Sequence, residues 1–151
     1  MRMLVAALAF SAATVAGAAE SVIKPSDFTS TGVWKVADGK LSADKAGAQA
    51  EAIASMGVGP CIAWVKAAVG SDCVINVNGV DGKVKPEGKA GEYVWVQPCR
   101  LSVPAGWVGI MLKQSGTARS SVEEIILTDN AEFKPAGCKT PDKKEKETSK
   151  Q

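Results

Sequence analysis

The sequence predicts an all-β sandwich or barrel, and three observations carry that prediction. Short runs rich in β-branched and aromatic residues recur along the chain. Glycine, proline and asparagine separate them at short intervals. Several of the runs alternate apolar with polar residues.

In chain order, residues 20–32 read as a leader with Pro25 and Ser26-Asp27. Val33-Trp34-Lys35-Val36 follows, closed by a turn at Asp38-Gly39. The stretch from Ala43 to Met56 is ambiguous. Its alanines favour a helix by propensity, yet Ala50, Ala52 and Ala54 alternate with Gln49, Glu51 and Ile53 as in a strand. From Ile62 to Val69, Ala63, Val65 and Ala67 form one face, and Trp64 shares the other with Lys66. Cys73 to Asn78 alternates, and Asn78-Gly79 and Asp81-Gly82 are turn dipeptides. Glu92 to Val96 has strong strand propensity. Trp107 to Lys113 places Val108, Ile110 and Leu112 on one face, and Val122 to Thr128 is the last clear strand.

The ends of the chain read differently. Met1-Arg2-Met3 gives a short positive start, an apolar run extends from Leu4 through Phe10, and small residues continue to Ala19. These are the parts of a secretory signal, with cleavage expected after Ala18 or Ala19, and the protein is expected to be secreted or periplasmic. A membrane anchor would need a longer apolar span with basic flanks, so no transmembrane segment is expected after cleavage. One domain is expected over 20–138. The tail, 139–151, is Lys- and Glu-rich with too little apolar surface to order it, and is expected to be disordered.

Composition excludes several function classes. Eighteen basic residues face sixteen acidic ones, without the concentrated basic face of a nucleic-acid binder. The chain has no histidine, so it lacks Ser-His and Cys-His pairs, and its adjacent acids Glu123-Glu124 point to opposite sides of a strand. No enzyme is expected. Four cysteines in an exported chain read as two disulfides, since neither a CxxC pair nor a histidine supports a metal site. If Cys73 to Asn78 pairs antiparallel with Glu92 to Cys99, Val77 opposite Trp95 places Cys73 opposite Cys99, with Gln97 against Ile75 as the misfit. Cys61 and Cys138 are then left to pair.

Five segments in order resemble secreted carbohydrate-binding modules of the galactose-binding-like β-sandwich type. They are Gly59-Pro60-Cys61-Ile62-Ala63-Trp64-Val65-Lys66, Cys73-Val74-Ile75-Asn76-Val77-Asn78-Gly79, Tyr93-Val94-Trp95, Leu101 to Gly106, and Val122 to Asp129 with Phe133 and Pro135. The chain departs from that pattern at Cys61, Lys66 and Glu123, where the modules carry Tyr, Arg and Asp. The resemblance implies a jelly-roll β-sandwich of about eight or more antiparallel strands and favours a strand over Ala50 to Ala54. It also implies a candidate structural calcium. Glu123 would face inward if Ile125 and Leu127 face the core, with Glu20 and Asp129 as further oxygen donors.

The function expected is non-catalytic binding of a polysaccharide or envelope glycan. Sugar rings stack on aromatic faces while polar groups fix their orientation. Trp64 and Trp107 are the first candidates for stacking, Lys66 and Asn78 for hydrogen bonding, and Trp34 is a second choice because its leader would seal the sandwich. Trp95 is expected in the core. The alternative is a structural or interaction subunit of the cell envelope or of an extracellular assembly, with a protein partner, marked by an exposed apolar patch or an open sheet edge.

Overall fold

The computed structural model describes residues 20–138, apart from 105 and 117. The expected export signal over 1–19 and the charged tail over 139–151 lie outside the described residues. Among the described residues no helix is long and apolar enough to cross a membrane.

Among the described residues ten strands form two antiparallel sheets. They are β1 (Glu20–Ile23), β2 (Lys35–Ala37), β3 (Lys40–Ala43), β4 (Gln49–Ser55), β5 (Gly59–Ala68), β6 (Cys73–Val77), β7 (Val80–Val84), β8 (Tyr93–Val103), β9 (Trp107–Gln114) and β10 (Ser120–Thr128). The six-stranded sheet runs β2-β3-β10-β5-β8, with β1 also paired to β10. The four-stranded sheet runs β4-β9-β6-β7. From β3 onward the chain mostly steps from one sheet to the other, and the apolar faces close on a shared core.

The expected all-β sandwich is present, and the ambiguous segment is a strand. Ala50, Ala52 and Ala54 are buried and their neighbours exposed, so β4 lays one face on the core. Packing overrides the helix propensity of alanine here, because small side chains let the two sheets approach. The supposed leader is also structural: Glu20–Ile23 pairs along Thr128–Ile125, followed by a 3-10 turn at Pro25–Asp27. Trp34 is buried, its indole N–H donating to the Ala48 carbonyl at 3.0 Å.

Two local readings are corrected. Asp81-Gly82 is no turn but lies within β7, which forms a hairpin with β6 about Asn78-Gly79. A Cβ on Gly82 would meet the Pro98 carbonyl oxygen at 2.5 Å, so this glycine lets the edges of the two sheets touch. The cysteine register also fails. β6 is flanked by β7 and β9, whereas β8 pairs with β5, so Cys73 and Cys99 belong to different sheets. Cys61 faces the inter-sheet core, while Cys138 packs on the outer face of the six-stranded sheet, which separates the second expected pair. Cys61, Cys73 and Cys99 stand as buried thiols.

Candidate functional site

The outer face of the four-stranded sheet can be built from its registers. Trp107 pairs with Ser55, Gly109 with Ile53, and Met111 with Glu51 on one side and Asn76 on the other. Asn76 in turn faces Asp81. Alternation turns Val108, Ile110 and Leu112 into the core and leaves Trp107, Gly109 and Met111 on this face. Glycine at 109 leaves a gap between Ile53 and Asn78. The result is an open trough of about 380 Å³, lined also by Thr29, Glu51, Asn76 and Met111.

Trp107 stands beside it with 70 % of its surface exposed, and Ile53 is 63 % exposed. Trp107 opens β9 opposite a small serine, so nothing on the neighbouring strand covers the ring. The rim is braced. Asn78 carries φ +48°, which its hairpin turn requires, and its side-chain oxygen accepts from Gly109 N–H at 2.7 Å. Its amide donates to the Trp107 carbonyl at 3.4 Å. Asn76 donates to Asp81 at 2.7 Å and accepts from Gly79 N–H at 3.0 Å. Asn78 is therefore a support for β9 beside Trp107. Its amide carries a second N–H beside the one bonded to Trp107, so this support leaves its expected part as a donor to ligand open.

The other expected site residues are dispersed. Trp64 is 9 % exposed and lies on the opposite side of the sandwich, under Phe133 and Cys138 and against Ile62, Ile126 and Trp95. It offers no stacking surface, because the segment after β10 covers it. Trp34 is sealed in the core. Trp95, expected in the core, is half-buried in the same outer cluster as Trp64. Lys66 holds Glu123 at 3.6 Å and lies 6.0 Å from the Trp95 ring centre.

The expected calcium donors do not converge. β10 bulges between Val122 and Glu124, which turns Glu123 outward to Lys66 although Ile125 and Leu127 do face the core. Glu20 pairs with Thr128, next to Asp129, on the order of 15 Å along the strand from Glu123 at ordinary strand rise. Among the described residues no three acids, cysteines or histidines gather as a metal site. These residues do not fit a shared ion.

The buried thiols do not suit nucleophilic chemistry. Burial, reinforced by Asp72 and only partly offset by a hydrogen bond from Ser120, pushes the Cys73 thiol up to about 12. Burial first, then Cys61 and Asp81, pushes Cys99 up to about 11. Each stays protonated near neutral pH.

Sequence reasoning found Trp107 and Asn78 and missed the rest of the trough. Ile53, Gly109, Met111 and Asn76 are visible only as the opposite face of strands whose inner face draws attention. The alternation of β9 offered Gly109 and Met111. The approach of Ile53 needed the β4–β9 register.

No protein-family profile matches the chain, and no curated protein sequence matches it. Solved structures do. A family 36 carbohydrate-binding module of a multidomain xylanase, from the hindgut metagenome of Trinervitermes trinervoides, superposes with TM-score 0.58 and 8 % identity, over 76 % of this chain and all of that one. A family 35 carbohydrate-binding module from an environmental isolate gives 0.57 and 17 %, over 79 % and 99 %. A Podospora anserina mannanase that includes a family 35 module gives 0.54 and 16 %, over 77 % of this chain but 29 % of that enzyme. The chain has the β-sandwich fold of these carbohydrate-binding modules.

Proposed function

We propose that this protein is an exported, non-catalytic module that binds a neutral polysaccharide or envelope glycan across the outer face of the four-stranded sheet. The observation that carries the reading is the exposed Trp107 ring beside the glycine-floored trough at Gly109. A sugar ring stacks on the indole while its neighbour settles over Gly109, with the Glu51 carboxylate at the rim as an acceptor for hydroxyls. The fold shared with carbohydrate-binding modules supports this, although a fold alone hosts many functions. The apolar N-terminal stretch with its small-residue cleavage pattern supports export.

The test is a glycan array with pull-down on insoluble polysaccharides, comparing the parent with Trp107→Ala and Gly109→Val. Gly109 has ordinary φ, and an added Cβ would meet only the Asn78 oxygen at 3.7 Å, so valine fills the trough without straining the strand. A lone stacking contact contributes about 0.5–1.5 kcal/mol beyond area burial, which corresponds to several-fold weaker binding on its loss. Both variants should weaken binding while circular dichroism stays unchanged. Retained binding in both would refute the site.

The second reading, a protein-interaction subunit, draws on the exposed Ile53 and Trp107, joined by Val58 at 75 % exposure. Recovery of a crosslinked protein complex that Trp107→Ala abolishes, with no glycan retained, would favour it.

A further inference from the structure

We infer that the opposite side of the sandwich carries a second, separate site, for the carboxylate or sulfate group of an acidic sugar. The outer face of the six-stranded sheet aligns Lys35, Ser42, Ser121, Ala68 and Tyr93 in one row across five strands. The Ala68–Ser121 juxtaposition continues the Ala67–Val122 pair. Over this row lies an open pocket of about 450 Å³. Ala68 and Gly91 keep it open by being small, and Lys40, Arg119 and Tyr93 shape it.

Lys40 sits 4.8 Å from the Tyr93 ring centre, so the aromatic face holds its ammonium at the pocket. Arg119 lines both this pocket and the adjoining one, which contains Lys35 and Asp44. Among the described residues none of these three cations has a carboxylate within ion-pair distance. Among the described residues Asp38 is the single acid lining the pocket, and it sits in the β2–β3 turn at φ +53°. Cations gathered on one sheet face repel each other in the free protein, and a bound anion converts that repulsion into attraction.

The hydroxyls fit an oxygen-rich ligand. Tyr93 and Ser121 share one hydrogen bond at 2.8 Å, which uses one of their two O–H protons. Either hydroxyl can donate in that bond, and when Ser121 does, the phenolic proton of Tyr93 is free for a ligand oxygen. Arg119 supplies a planar fork suited to a carboxylate or sulfate. The choice of a sugar as carrier of the anion rests on the glycan-binding reading. The site itself is independent of Trp107, which lies on the other sheet.

Titration calorimetry on the full chain, with an oligogalacturonate, a sulfated oligosaccharide and a neutral oligosaccharide of equal length, tests this. At least one acidic probe should bind, weaken as salt rises, and lose tenfold or more in affinity in Lys40→Ala/Arg119→Ala. Binding should persist in Trp107→Ala. Whichever acidic probe binds better identifies the carboxylate or the sulfate as the preferred group. Lys40→Glu/Arg119→Glu, at surface positions, should abolish the interaction with the melting temperature retained. No affinity for either acidic probe, or acidic binding unchanged in the double variants, would overturn the inference. So would its loss in Trp107→Ala. Failure of neutral glycan binding with acidic binding intact would count only against the trough.

Discussion

Single residues at close approaches decide local geometry here. Asn78 meets two demands at once: it tolerates φ +48° in a two-residue hairpin, and its amide holds the backbone of the neighbouring strand at both Trp107 and Gly109. The Asn-Gly dipeptide advertised the turn, but the cross-strand support is long-range. Gly82 presents the converse case. Its dipeptide looked like a turn, yet the glycine is needed because the Pro98 backbone leaves no room for a Cβ. Gly82→Ala should therefore destabilise the fold by about 1–3 kcal/mol through forced displacement of the sheet edges. Urea denaturation measures this, and an unchanged midpoint would show that the edges part without strain.

At the scale of elements, the segment after β10 acts as a strap. Phe133 and Cys138 pack over Trp64, Ile62 and Ile126, forming a second apolar cluster outside the main core. The indole N–H groups of Trp64 and Trp95 are buried there without hydrogen-bond partners among the described residues. An unpartnered buried donor costs about 1–3 kcal/mol, so the ring of Trp64 stabilises through packing while its N–H detracts. Trp64→Phe should then be close to neutral, and Trp64→Ala should cost about 3–5 kcal/mol. Thermal melts of the two variants separate the contributions. A loss of about 1 kcal/mol or more in Trp64→Phe would mean that the N–H is satisfied after all. The sequence placed Trp64 and Lys66 correctly on one outward face, but outward is not exposed when a later segment folds back over the strand. The β10 bulge is a second limit of element-level reading. One extra residue at Val122–Glu124 reverses the side on which Glu123 emerges.

For the whole molecule, the buried thiols link folding to alkaline pH. Thiols ionise near 9.0 when exposed, and Cys73 is held up to about 12 in the fold. Above pH 9 the unfolded chain thus binds fewer protons than the folded one, so stability falls as pH rises from 9 towards 12. Below pH 9 both states keep the proton and this contribution is fully present. Under reducing conditions the melting temperature should decline across that window, and Cys73→Ala should flatten the decline even though it lowers stability at pH 7 through the cavity it leaves. An equal slope in the variant would show that other groups govern the alkaline limb. The trough and the basic pocket lie on opposite outer faces of the sandwich. The two-sheet architecture therefore keeps the neutral and acidic ligand readings experimentally separable.

The sequence by itself determined the fold class, most strand positions, the inner faces of β5 and β9, and Trp107 as a candidate platform. Period-2 alternation and turn chemistry are local, and each strand writes them in its own residues. Tertiary structure decided which strands are neighbours. That choice separated Cys73 from Cys99, covered Trp64, turned Glu123 outward and joined Ile53 to Gly109 as the walls of the trough. Strand pairing is a contest among many similar edges, settled by the packing of two whole faces. No run of neighbouring residues records its outcome.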